Sequence, residues 1–244
     1  MKIIMSPAKK MRVDNDASLK LTEPIFLEKS YILENKLKSM SYDDLKALWK
    51  TNDVLTHKCY DELMNRSHIP YSAAIYAYEG IAFKYLHPYS LTDNEIQYLN
   101  DHLCILSGFY GLLRPSDAIR PYRLEMGVKA LKLYDFWGKD LYDALNDHII
   151  INLASQEYSK CIEDHLTDQD LFIEIKFLRE VDHKLKQQAT YAKMARGAMI
   201  SYLAKNQANN LDDLKKFNDL GFVFREELSH DHCYVFVQSE GKDE

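Results

Sequence analysis

Cysteine is scarce in this chain of 244 residues: Cys59, Cys104, Cys161 and Cys233 are the only four, and they stand 45, 57 and 72 residues apart. That spacing fits no zinc module and no compact disulfide framework, so reduced thiols in a cytoplasmic protein are the expectation. Eight glycines and six prolines leave no room for a collagen-like or proline-rich region. No stretch approaches the roughly 18 apolar residues of a membrane span, which excludes a membrane partner from the expectations. The opening run Lys2-Ile3-Ile4-Met5 is too short for the apolar core of a signal peptide. Walker and Rossmann glycine patterns are both missing, and no pair of histidines has the H-x-x-x-H spacing. The expected cofactor and metal content is therefore none. His230-Asp231-His232-Cys233, the one cluster of metal-capable side chains, reads as an exposed hairpin turn.

What is present is ordinary globular material, with 46% hydrophobic and 28% charged residues, enough to bury a sizeable core. Short apolar runs alternate with helical patterns. Residues 2–5, 104–107 and 149–153 read as buried strands, and residues 171–177 alternate like a half-exposed one. Residues 73–77 also read as a strand, and residues 222–224 and 233–237 as a terminal pair. Ser41-Tyr42-Asp43-Asp44 and Thr92-Asp93-Asn94-Glu95 are helix-capping signatures, and residues 27–40 and 191–204 show helical spacing. The predicted fold is α/β, a mostly buried mixed or parallel sheet surrounded by helices. No composition shift or repeat marks a boundary, so residues 1–244 are expected to form a single domain.

The formal net charge of −6 argues against a nucleic-acid partner, but its distribution does not. Lys2, Lys9, Lys10 and Arg12 fall within twelve residues that contain no acid. Lys184, Lys186, Lys193, Arg196 and Lys205 form a second acid-free stretch, and residues 114–139 carry six cations against three acids. Should the fold gather these segments, one face would attract phosphates while the acidic remainder keeps the molecule soluble.

Several local patterns carry chemistry. Ser107-Gly108-Phe109-Tyr110-Gly111 ends a strand and is followed by Arg114, Arg120 and Arg123. Strand ends are where ligands gather in open α/β sheets, and arginine forks match phosphate geometry. A structural turn with its arginines paired to carboxylates is the competing reading. Ser6, Lys9 and Lys10 follow the first strand as a candidate anion site. Asn152, Ser155, Glu157 and Tyr158 repeat the layout after the third, where Ser155 reads first as a helix cap. Lys193 and Arg196 share a helix face, and Gly197 beside them marks a close approach.

Six blocks together resemble the YaaA family: Ser6-Pro7-Ala8-Lys9, residues 107–115, Pro121-Tyr122-Arg123-Leu124-Glu125-Met126-Gly127, Phe136-Trp137, residues 152–158 and residues 191–197. The resemblance runs from end to end. It implies a cytoplasmic peroxide-stress resistance protein that binds DNA through a helix-hairpin-helix element and limits iron-dependent oxidative damage, with no established catalytic activity. Two departures stand out. Family members often carry Lys-Gly-Asp-Val-Tyr where this chain has Glu79-Gly80-Ile81-Ala82-Phe83, so any role of that aspartate is absent. The best helix-hairpin-helix candidate, residues 41–50, a turn at 51–53 and residues 54–66, lacks the usual hairpin glycines and puts Asp53 towards phosphate.

Two functions of different class follow. In the first, Lys9, Lys10, Arg114, Arg123, Lys193 and Arg196 contact DNA phosphates with little base specificity. In the second, an enzyme holds a phosphorylated or nucleotide-like small molecule in a pocket with Ser6, Glu125, Asn152, Ser155, Glu157 and Tyr158, either glutamate serving as acid or base. A concave site enclosing Lys9, Arg123, Asn152 and Lys193 favours the enzyme; a grooved basic surface favours DNA.

Overall fold

The computed structural model describes residues 1–14 and 19–239. Its centre is an eight-stranded sheet. In chain order the strands are β1 (Lys2–Met5), β2 (Leu103–Ser107), β3 (Gly111–Leu113), β4 (Ile149–Leu153), β5 (Leu171–Val181), β6 (Lys184–Lys186), β7 (Phe222–Phe224) and β8 (Cys233–Gln238). They lie in the order β7-β8-β5-β4-β1-β2-β3, with β6 folded back on β5. Five neighbours, β8, β5, β4, β1 and β2, run parallel, and the antiparallel strands β7, β6 and β3 are hairpin additions. β1, β2, β4 and β8 are the apolar runs, and they are buried almost throughout, as strands covered on both faces must be.

The principal helices are α1 (Leu27–Lys38), α2 (Tyr42–Trp49), α3 (Asp53–Met64), α4 (Ile81–Leu86), α5 (Asp93–His102), α6 (Gln156–Glu163) and α7 (Ala189–Lys205). Thr92 and Glu95 form the reciprocal capping box at the start of α5. A main apolar core joins sheet and helices, and a small second cluster, Cys233, Val235 and Val237 with Leu178, lies on the other face of β8 and β5. The expected strand at residues 73–77 is corrected. Only Ser72–Ala73 is extended, Ala74–Ala77 is a single helical turn, and Tyr78–Glu79 pairs with Lys10–Met11 instead. A five-residue apolar run has too little length for periodicity to separate a strand from a buried turn.

Chain path decides where a site can form. β1 is followed in the sheet by β2 on one side, after which the chain crosses to β4 on the other. The carboxyl ends of β1 and β4 therefore flank a topological switch point, where the two outgoing segments diverge and leave a crevice.

Candidate functional site: a cationic cavity at the strand ends

At that crevice the Ser6 hydroxyl, just past β1, accepts the Ser155 N–H at 2.8 Å and lies 3.1 Å from the Ser155 hydroxyl. Ser155 is the residue before α6, yet its side chain makes no capping bond to the helix. Its hydroxyl instead ties the ends of β1 and β4 together, which corrects the expectation of a helix cap. Above this clasp lies a cavity of about 470 Å³.

The wall on the β2 side depends on glycine. A Cβ on Gly108 would stand 2.6 Å from the Leu124 carbonyl oxygen, so only glycine lets residues 124–126 lie across the turn after β2. The Ser107 hydroxyl accepts the N–H groups of Phe109 and Tyr110 at 3.2 and 2.9 Å. It also meets the Tyr122 hydroxyl at 2.7 Å, and Tyr122 meets Tyr78 at 2.8 Å. Burial pushes the Tyr122 phenol up to about 12, so the chain of hydroxyls is neutral at physiological pH. The glycine-spaced loop is thus a structural turn, and what it offers the cavity is Arg123 and Glu125.

The fourth wall comes from α7. A Cβ on Gly197 would fall 1.9 Å from the Ala82 carbonyl oxygen. The missing side chain is what lets α7 sit against α4, and that contact brings Lys193 and Arg196 to the cavity. The antiparallel pairing of Lys10 with Glu79 delivers residues 79–83 to the same place.

Ten of the twelve sequence-derived candidates line this cavity: Ser6, Lys9, Lys10, Arg123, Glu125, Ser155, Glu157, Tyr158, Lys193 and Arg196. Two do not. Arg114 is turned away and held by Asp117, whose carboxylate takes its Nε and Nη2 at 3.1 and 2.9 Å, and by the Glu23 carbonyl at 2.9 Å. Asn152 is buried within β4, where its side-chain oxygen accepts the Ala154 N–H at 2.9 Å. The Glu79 to Phe83 wall was not among the candidates, because nothing in the local sequence shows that Glu79 pairs with Lys10. The block at residues 79–83 therefore faces the cavity, with Ile81 among its lining residues.

Charges in the cavity are partly matched. Glu125 meets Arg123 at 2.8 Å and Lys9 at 3.5 Å, and Glu79 meets Lys10 at 2.9 Å. Glu157 accepts the Gly127 N–H at 2.8 Å. Lys193 and Arg196 have no carboxylate within ion-pair distance among the described residues.

The cavity is the middle of a longer trough. On one side it shares Lys10, Glu79, Gly80, Ile81 and Phe83 with a cleft of about 700 Å³ that adds Arg12 and Lys84. On the other it shares Lys9, Arg123, Glu125 and Glu157 with a cleft of about 460 Å³ that adds Trp49, Lys50 and Lys129. Nine cations and three carboxylates line the whole. The geometry thus combines a concave, partly open chamber lined by Lys9, Arg123 and Lys193, but not Asn152, with a groove leading out of it both ways.

The expected helix pair exists as α2 and α3. Lys50 in the left-handed conformation (φ 51°) and Asn52, which caps α3, make the turn without glycine. Asp53 is paired with Lys46, and Lys50 lines the trough. Among the described residues no three potential ligands gather into a metal site, and no helix is long and apolar enough to cross a membrane.

A mostly parallel α/β sheet with a cationic trough at its strand ends defines the class of protein. Sequence comparison then places the chain: residues 1–228 match the family described as peroxide stress protein YaaA, and the chain belongs to it. It is similar to a UPF0246 protein of Agathobacter rectalis, 46% identical with 97% of this chain and 98% of the relative covered. Similar proteins occur in Pediococcus pentosaceus (41% identical; 98% and 99% covered) and Limosilactobacillus reuteri (44% identical; 97% and 98% covered).

Proposed function

We propose that this peroxide-stress family member binds DNA along the trough, through the phosphate backbone and with little base specificity, and so limits iron-dependent oxidative damage at the DNA it covers. The observation that carries the proposal is charge placement. A chain of net charge −6 concentrates an excess of six positive charges along one continuous groove. Lysine and arginine there release condensed counterions when they meet phosphates, which is the main source of sequence-independent affinity. Lys50 is where the α2–α3 pair joins the groove, so that pair contacts DNA through its turn.

The test is fluorescence anisotropy on duplex DNA over a salt series. If about six phosphates are neutralised, log affinity falls against log salt with a slope near −5. Replacing Lys50 and Lys129 by glutamine weakens binding alike on unrelated sequences and flattens the slope by about two. A salt-independent affinity overturns the proposal.

A further inference from the structure

The central cavity differs in kind from the clefts beside it. Five cations there face three carboxylates, an excess of two. Lys9, Lys10 and Arg123 are already engaged by Glu125 and Glu79. The unmatched pair is Lys193 and Arg196, one turn apart on α7. Arg196 is largely buried, and its Nε is enclosed with no hydrogen-bond partner. Glu174 is the carboxylate that acts on it through space, but Glu174 is engaged by Lys176 at 3.1 Å. An enclosed guanidinium N–H left without an acceptor is costly unless an anion completes it. α6 begins at the same chamber without a side-chain cap, since Ser155 has turned to Ser6, and its first turn lines the chamber with Glu157 and Tyr158. Apolar side chains line the same chamber, with Ile81, Phe83 and Leu124 forming an apolar wall.

We propose that the central cavity is a site for a nucleoside 5′-phosphomonoester, with the phosphate on Lys193 and Arg196 and the nucleoside against the apolar wall. Charge selects the monoester. Near neutral pH it carries about two negative charges, which match the excess in the chamber, whereas each backbone diester carries one. Size agrees, because about 470 Å³ lies in the range of small-molecule pockets, and strand ends at a switch point are where nucleotides bind in open sheets. The same chemistry has two sources: a free nucleotide, or the 5′-phosphorylated end of a strand lying in the trough. The second source rests on the DNA-binding proposal; the first stands without it.

The experiment has two arms. Calorimetry compares adenosine 5′-monophosphate with adenosine, and anisotropy compares duplexes with a recessed 5′-phosphate and a recessed 5′-hydroxyl. The phosphorylated member of at least one pair is expected to bind about tenfold tighter. Lys193→Gln, an exposed substitution that leaves the core untouched, abolishes that preference, while Lys205→Gln, exposed at the far end of α7 and outside the trough, preserves it. Preference in the calorimetric arm alone identifies the free nucleotide; preference in the duplex arm identifies the strand end. If neither pair shows a phosphate preference, or Lys193→Gln leaves it intact, the proposal is overturned. Failure of DNA binding itself appears as no anisotropy change with either duplex, and the calorimetric arm remains decisive.

Discussion

Gly197 shows how much of the site hangs on one missing methyl group. The Ala82 carbonyl oxygen occupies the space a side chain would need, 1.9 Å from the would-be Cβ. Gly197→Ala must therefore push α7 away from α4, and the expected cost is about 2 kcal/mol or more, read as a lower urea midpoint. The same displacement carries Lys193 and Arg196 off the cavity, so affinity for anions falls with stability. Gly197 was legible in the sequence as a point of close approach, because glycine inside a helix has few other uses. Arg114 follows the competing reading, a turn arginine paired to a carboxylate, whereas the place of Asn152 inside the strand was not legible. Arg114 finds its carboxylate only three residues on, at Asp117. Asn152 folds back on the backbone two residues on. Both bonds are local in sequence, but the sequence leaves open whether the side chains turn inward or outward.

Elements were the easier scale. β1, β2 and β4 announced themselves as unbroken apolar runs between polar breaks, and the capping residues marked the starts of α2 and α5. Sheet order was not readable, because parallel neighbours far apart in sequence leave no local trace. Loops carry their own ties. Asp170, just before β5, accepts from the Thr167 N–H and hydroxyl, the Tyr142 hydroxyl and His148. Burial raises the pKa of its carboxyl, but those hydrogen bonds together outweigh burial and hold it well below the usual carboxylate range. A carboxyl with a depressed folded pKa contributes stability that is full above about pH 4–5 and lost as pH falls through the folded value. Asp170→Asn is therefore expected to cost about 2 kcal/mol at pH 7. The gap from the parent narrows in acid, which denaturant midpoints measured down the pH scale will reveal; a constant gap would contradict the pairing.

Across the whole molecule the thiols are withdrawn from solvent. All four thiols are buried, in α3, β2, α6 and β8. Burial raises the pKa of every one, to about 12 for Cys104 and Cys161. Thiolate is the form that peroxide attacks, so the folded protein is expected to be inert towards both hydrogen peroxide and thiol-specific alkylating agents. Mass spectrometry should find no modified cysteine in the native protein at pH 8 and four after unfolding. Rapid native sulfenic acid formation would instead mark a thiol-based peroxide chemistry.

The trough has one further property. Its walls are drawn from residues 5–12, 47–50, 75–90, 122–130, 153–158 and 193–196, segments spread over the first four-fifths of the polypeptide. The last two cations arrive on α7, after four-fifths of the chain has been synthesised. A nascent or truncated product ending before that helix lacks both, and cleavage anywhere between residues 12 and 193 divides the cations between fragments. On the function proposed above, competence for polyanions would be coupled to completion of the fold, since an unfinished chain carries the earlier cations without the helix that completes the groove.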